Sequence, residues 1–200
     1  MTRLALIDAG GANIGSVRYA LSRLGVEAEL TTDADVIRSA DRVILPGVGA
    51  AAQVMARLRE LDLIDTVKSL QAPLLGVCVG MQVLFEHSEE DDTPCLGLLA
   101  GSVTKLPVSA GIRVPHMGWN TLVAQREASL TAGIGAQDQA YFVHSYAAQV
   151  SEDCLSATTH GRAFAAVVQR GRVAGAQFHP ERSAAVGARL LHNFIEYGLA

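Results

Sequence analysis

The sequence predicts a single α/β domain over residues 1–200, built on an open, mostly parallel sheet with helices on both faces. Three observations carry this. Short apolar runs of strand length alternate with apolar residues at helical spacing through the first 85 residues. Half of the 200 residues are hydrophobic and only 18% are charged, the balance of a chain that folds around a core. Glycine and proline punctuate the ends of these runs, where turns and helix stops are required.

The elements follow in order. Leu4-Ala5-Leu6-Ile7 reads as a strand. Val17, Ala20, Leu21 and Leu24 recur at helical spacing, and Gly25 ends that helix. Val26 to Leu30 is a second strand, and Val43-Ile44-Leu45 a buried third that stops at Pro46-Gly47. A helical stretch from Ala51 to Leu70 breaks near Leu61-Asp62. Leu74 to Val77 is the central strand and Val79 to Phe85 a helix. The second half is richer in strands: Ser102-Val103-Thr104, Thr121-Leu122-Val123, Tyr141-Phe142-Val143, Ala163 to Val168 and Arg172 to Ala176. Val186, Leu190, Leu191, Phe194 and Ile195 form the apolar face of a last helix that stops near Gly198. The acidic run Glu89-Glu90-Asp91-Asp92 reads as a solvated loop. No repeat, linker or low-complexity tract interrupts the pattern.

Composition excludes several classes of function. A net charge of −4 and scattered basic residues argue against nucleic-acid binding. No apolar run reaches bilayer length, and no signal peptide is legible, so a soluble cytoplasmic protein is expected. Cys78, Cys95 and Cys154 have no metal-ligand spacing and leave an odd cysteine, which fits reduced thiols. No metal or other cofactor is expected.

The chemistry concentrates at Gly76-Val77-Cys78-Val79-Gly80, directly after Pro73-Leu74-Leu75. This is a cysteine version of the G-x-S-x-G elbow, in which a buried strand turns sharply at the nucleophile and a helix leaves. A helix N-terminus favours a thiolate, and the Val79 amide points where an oxyanion would form. Alone, the pattern fits a catalytic cysteine or a packed core thiol about equally. A second segment decides between them. Phe178-His179-Pro180-Glu181 follows the apolar stretch Val173 to Ala176. The residue before a proline is extended, and side chains two apart in an extended segment share a side. Glu181 can therefore orient His179, which gives a nucleophile, a general base and an orienter.

At this point the chain resembles the class I (triad) glutamine amidotransferases, a flavodoxin-like fold. Leu45-Pro46-Gly47-Val48-Gly49 is similar to the oxyanion strand of that family. Three further segments resemble the glutaminase subunits of imidazole glycerol phosphate synthase, from histidine biosynthesis. They are Pro115-His116-Met117-Gly118-Trp119-Asn120, Tyr141-Phe142-Val143-His144-Ser145-Tyr146 and Gln177-Phe178-His179-Pro180-Glu181-Arg182-Ser183. The resemblance covers essentially the whole chain. It implies glutamine hydrolysis by Cys78, His179 and Glu181, with Val48 and Val79 as oxyanion donors. It implies that Gly49, Gln82, His144, Ser145 and Tyr146 hold the substrate. It also implies a cyclase partner subunit, a (β/α) barrel that forms a heterodimer with this chain and receives the ammonia. Met117, Trp119, Tyr141 and Arg182 are then the interface candidates. Trp and Arg are types enriched at interface hot spots, although Trp119 fits a core aromatic nearly as well.

Gly10-Gly11-Ala12-Asn13-Ile14-Gly15 nearly matches a dinucleotide fingerprint, but its second glycine is Ala12. The resemblance explains it as a turn near the partner subunit. The family often carries Asp-Tyr-Gly here and a glycine directly before the asparagine, where this chain has Asp8-Ala9-Gly10 and Ala12-Asn13. Two rival readings are another short amidotransferase subunit, such as that of pyridoxal phosphate synthesis, and a non-catalytic flavodoxin-like cysteine sensor. The Pro-His-Met-Gly-Trp-Asn segment counts against the first. His179-Pro180-Glu181 counts against the second, because a sensor thiol needs no general base.

Overall fold

The computed structural model describes residues 2–11, 13–108 and 111–199. Its first half alternates as the hydrophobic periodicity requires: β1 (Leu4–Ile7), α1 (Ile14–Arg23), β2 (Ala28–Thr31), α2 (Ala34–Ser39), β3 (Arg42–Gly47), α3 (Ala51–Glu60), α4 (Ile64–Lys68), β4 (Leu74–Cys78) and α5 (Val79–Gln82). The second half adds β5 (His87–Ser88), β6 (Thr93–Pro94), β7 (Ser102–Lys105), β8 (His116–Thr121), β9 (Val123–Ala124), β10 (Gln139–His144), β11 (Tyr146–Ala148), β12 (Cys154–His160), β13 (Arg162–Arg170), β14 (Val173–Ala176) and α6 (Ala184–Tyr197).

The main sheet has eight strands in the order β2-β1-β3-β4-β14-β13-β12-β9. The first five are parallel and the last three antiparallel. Every residue of β1 and β4 is buried, which requires cover on both faces of the sheet and accounts for their unbroken apolar runs. Strand β4, which ends at Cys78, lies between β3 and β14. The Pro46-Gly47 end of β3 and the segment following β14 therefore converge on the C-terminal end of β4, where open α/β sheets place their ligands.

Two smaller sheets stand beside this one. The ribbon β8–β10 is antiparallel, with Trp119 opposite Tyr141 and His116 opposite His144. Phe142 fixes the ribbon to the core by edge-to-face contacts with Phe164 and Phe178, each at 5.8 Å. The second small sheet, β11-β7-β5-β6, holds the end of the segment that leaves β10.

Several expectations are corrected. The helix α2 is absent from the sequence reading. Its Asp33 cap accepts from the Asp35 and Val36 amides at 2.8 and 3.2 Å, but six residues offer too short an apolar period to see. The elbow helix ends at Gln82 rather than Phe85. Instead of continuing it, the carbonyls of Val83, Leu84 and Phe85 accept from amides of residues 96–99. The strand expected at 121–123 is split, with β8 ending at Thr121 and β9 starting at Val123. Strand β12 had no counterpart in the reading. The run Glu89–Asp92 is not simply solvated. Glu90 accepts from the Ala51 amide at 2.9 Å and so satisfies the N-terminus of α3, and Glu89 accepts from the Lys105 amide at 2.7 Å. Ala12 of the fingerprint-like loop lies outside the described residues.

Candidate active site

The elbow explains the two glycines that flank it. Cys78 has φ 55° and ψ −114°, a conformation that side-chain-bearing residues rarely adopt, and it is the junction between β4 and α5. The helix leaves so close to the sheet that backbone meets backbone. A Cβ on Gly76 would stand 2.5 Å from the Gly80 carbonyl oxygen, and one on Gly80 would overlap the Leu45 carbonyl. Gly47, on the neighbouring strand, faces the Gly80 amide in the same way, at 2.5 Å. These glycines are spacing elements that let β3, β4 and α5 pack around the apex.

Downstream of β14 the chain delivers His179 and Glu181 to this apex. His179 is extended (φ −94°, ψ 98°), as its position before Pro180 requires. Its amide donates to the Tyr141 carbonyl at 3.0 Å, and the Ser183 hydroxyl bonds both the His179 carbonyl and the Tyr141 amide. The His179–Ser183 segment is thus pinned to β10. His179 Nδ1 donates to Glu181 Oε1 at 2.8 Å, with both side chains almost fully buried. Burial alone would depress the His179 pKa. Hydrogen bonds to Cys78 and Glu181 and their negative charge outweigh it, and the pKa rises to about 10. Burial likewise opposes ionisation of Glu181, but the His179 bond and charge, with a further bond from Asn13, hold its carboxyl below the usual range.

These residues open onto a cleft of about 460 Å³. Cys78, His179, Val48, Val79, Gly49, Gln82, His144, Ser145 and Tyr146 all line it, so the residues expected to bind substrate and oxyanion are brought together with Cys78 and His179. Glu181 lies behind His179, outside the lining. Gln82 is buried and spends both amide protons on protein, donating to the Tyr146 carbonyl at 2.8 Å and to Gln177 Oε1 at 3.0 Å. The His144 ring is turned into protein contacts, with Nδ1 2.8 Å from the Tyr146 carbonyl. At the cleft's rim Arg182 also contributes to the lining, with its guanidinium 4.6 Å from the Tyr141 ring centroid. Tyr141 meets Trp119 edge-on at 5.9 Å. Trp119 is 50% exposed and Met117 64%, which excludes the core-aromatic reading of Trp119.

Three residues of the site were missed in the sequence. Asn13 lines the cleft, and its side-chain amide donates to Glu181 Oε1 at 2.7 Å. It occupies the N-cap position of α1, where asparagine usually bonds its own helix, but it makes no such bond here. Gln177 is fully buried and directs its amide toward Cys78 Sγ at 4.0 Å. Glu90 lines the cleft from the acidic run. Cys95 and Cys154 are removed from this chemistry, since burial pushes both thiols up to about 11.

Comparison with known proteins agrees with this geometry. Residues 5–197 match the Glutamine amidotransferase class-I family. The chain belongs to the class I glutamine amidotransferases. The "Imidazole glycerol phosphate synthase subunit HisH" of Xanthomonas oryzae pv. oryzae (strain MAFF 311018) is 61% identical to this amidotransferase over 196 residues, 98% of each chain. The subunit of the same name from Xylella fastidiosa (strain Temecula1 / ATCC 700964) is 58% identical over 200 residues, the full length of both. Among solved structures, a glutamine amidotransferase shares the fold with a TM-score of 0.75 at 23% identity, covering 98% of both chains. The glutaminase domain of Trypanosoma brucei CTPS, with bound acivicin, superposes with a TM-score of 0.62 at 15% identity, covering 100% of this amidotransferase and 95% of that chain.

Proposed function

We infer that this amidotransferase is the glutaminase subunit of an imidazole glycerol phosphate synthase, hydrolysing glutamine and passing ammonia to a cyclase subunit in histidine biosynthesis. The observation that carries the chemistry is the line Cys78–His179–Glu181 at the base of the cleft. The subunit assignment is carried by near-60% identity to HisH chains over the full length.

We propose these steps. Sγ of Cys78, its proton on His179, attacks the side-chain amide carbon of glutamine, and the carbonyl π pair moves to oxygen. The Val79 amide and, across the cleft, the Val48 amide are assigned as donors to that oxyanion. His179 passes its proton to the departing nitrogen as the C–N bond breaks, releasing ammonia and leaving a γ-glutamyl thioester. Water then attacks the thioester and His179 takes its proton. Collapse releases glutamate and returns Cys78 to its starting pair with His179. Glu181 holds the imidazole through Nδ1 and stabilises its charge. Gly49, Gln82 and the segment His144-Ser145-Tyr146 are assigned to glutamine binding.

We assign Met117, Trp119, Tyr141 and Arg182 to the cyclase interface of a heterodimer, because they form an exposed apolar and cationic cluster at the cleft's rim. We place the protein in the cytoplasm. Three free cysteines among the described residues support this, as does the absence there of any helix long and apolar enough to cross a membrane. The test is a glutaminase assay with and without a cyclase subunit and its nucleotide ligand. Cyclase-dependent ammonia transfer that Cys78→Ala abolishes, with free ammonia still used by the complex, is expected. Glutamine hydrolysis retained within tenfold in Cys78→Ala would overturn the assignment.

A further inference from the structure

The ribbon β8–β10 carries a buried chain of polar contacts that reaches the cleft wall from behind. His116 and His144 face each other across the two strands, and both are buried. Their contacts permit one assignment of protons. The Tyr146 carbonyl can only accept, so His144 Nδ1, 2.8 Å from it, carries the hydrogen. In the neutral ring Nε2 is then bare, and it accepts from His116 Nδ1 at 3.1 Å. His116 Nε2 in turn accepts from the Asn120 amide nitrogen at 3.3 Å. That amide is fixed in orientation, since its nitrogen also donates to the Thr159 carbonyl at 2.9 Å and its oxygen accepts from the Thr121 amide.

A proton added to either ring would set one N–H against another. Burial keeps both rings neutral. The His116 pKa is pushed down to about 4, by burial first and by His160 next. That of His144 falls to about 3 through burial, with His116, His160 and His179 adding to it and the Tyr146 bond opposing it. The His116 ring cannot swing away, because it stacks on His160 at 4.1 Å and on Phe142 at 5.0 Å. At the other end of the chain the Tyr146 carbonyl accepts a second bond, from Gln82 at 2.8 Å. The contacts thus run from the ribbon to the cleft wall and into the elbow helix.

We propose that His116, which does not itself line the cleft, is a positioning residue for glutamine hydrolysis: its Nδ1–H fixes His144 as the Nδ1–H tautomer, which holds the Tyr146 carbonyl and with it the wall formed by residues 144–146. The inference rests on reading that wall as the glutamine-binding side of the cleft. The neutral imidazole pair acts as a rigid two-ring spacer. A ring of the other tautomer would have no hydrogen for the Tyr146 carbonyl and would leave Gln82 as its remaining donor, with His144 no longer tying the carbonyl to the ribbon.

Long-range ¹H–¹⁵N imidazole spectra of the full chain test the tautomer without any substitution. At neutral pH His144 should show a protonated Nδ1 and a bare Nε2, and an Nε2–H tautomer would overturn the proposal. His116→Phe keeps a ring against His160 and Phe142 but donates nothing. It should let His144 exchange tautomers and raise the glutamine KM of the complex roughly three- to tenfold, with a smaller change in kcat. His116→Asn keeps an N–H near the Nδ1 position and should restore both the tautomer and KM. A His116→Phe chain with an unchanged KM would defeat the proposal. His144→Phe separates the two readings. If it binds glutamine like the wild type, the wall is not the binding side. If its KM rises while that of His116→Phe does not, the positioning role alone is lost.

Discussion

The side-chain amide of Asn13 donates to Glu181 Oε1 at 2.7 Å, joining the first helix to the His179-Pro180-Glu181 segment across 168 residues of sequence. Glu181 Oε1 also receives His179 Nδ1, while Oε2 has no partner among the described residues. Asn13 is therefore one of the two side-chain donors that orient this buried carboxylate. Asn13→Ala should lower kcat about tenfold, the worth of one hydrogen bond to a charged group, with glutamine KM changed less. Asn13→Asp should be worse, because it places a second carboxylate against the first. Steady-state glutaminase kinetics of the complex would show this, and a silent Asn13→Ala would mean that the His179 contact alone sets the carboxylate.

The strained backbone of Cys78 gives a stability prediction independent of catalysis. A side chain held at φ 55° and ψ −114° costs roughly 1–3 kcal/mol, and glycine escapes most of that. Cys78→Gly and Cys78→Ala both remove the nucleophile, and each should lose glutamine hydrolysis by several orders of magnitude, up to roughly a millionfold. They should differ in stability, with the glycine variant the more stable by about 1 kcal/mol despite its smaller side chain. Paired urea unfolding curves measure the difference. The reverse order would show that the elbow conformation carries no strain.

The His179–Glu181 pair makes stability depend on pH in a stated window. His179 is raised from 6.5 to about 10, so its contribution is complete below about pH 6.5 and fades as pH rises toward 10. Glu181 is lowered from 4.5, so its contribution is present above about pH 4.5 and is lost as pH falls below that. The stability gap between wild type and Glu181→Gln should be widest between about pH 4.5 and 6.5 and shrink on both sides. Catalytically, His179→Ala should approach the damage of Cys78→Ala. Glu181→Gln should cost less, because an amide oxygen can still accept from Nδ1. A flat gap from pH 5 to 10 would show that the imidazole is not charged in the resting enzyme.

What the sequence made legible follows the range of the signals. The parallel strands announce themselves because both faces are buried, and Gly76-x-Cys78-x-Gly80 announces the elbow because three backbones must meet there. His179-Pro180-Glu181 is readable because proline fixes the geometry locally. Asn13 and Gln177 were not readable as site residues. Each acts on a partner 99 or more positions away, Gln177 on Cys78 and Asn13 on Glu181, and no local spacing encodes such a contact. Asn13 was further disguised by a helix-cap position and a fingerprint-like loop. The acidic run misled for the opposite reason: its charge suggested solvent, while the amides it satisfies belong to α3 and β7.

Trp119 tests the rim cluster. Half exposed on β8 and in contact with Tyr141, it offers a large apolar surface that folding leaves open to water. Trp119→Ala should weaken association with the cyclase subunit by about 2 kcal/mol or more, a hot-spot-sized loss. It should leave labelling of Cys78 by a glutamine-like electrophile unchanged. Calorimetric titration with the cyclase reads the first and intact mass the second. Unchanged affinity would move the interface off this ribbon.

The loop around Val48, proposed above as an oxyanion donor, carries the last prediction. Gly47 and Gly49 flank Val48, and glycine flanks make that peptide cheap to rotate. Gly47→Ala is not a clean probe of that rotation, since a Cβ on Gly47 would meet the Gly80 amide at 2.5 Å and disturb the elbow itself. Gly49 is the better site. It has φ +88°, and a Cβ there meets only the far end of the flexible Gln53 side chain. Gly49→Ala should therefore bias the Val48 peptide at a strain cost of about 1 kcal/mol while leaving the elbow intact. One oxyanion donor is worth about 100- to 1000-fold in kcat, so an isolated chain whose Val48 amide points away should turn over glutamine slowly. Partner and nucleotide binding should raise kcat by at least that order. Gly49→Ala should change this activation ratio more than it changes glutamine KM. If the free subunit matched the complex in turnover, the loop would not be a switch, and the assignment of Cys78, His179 and Glu181 would stand without it.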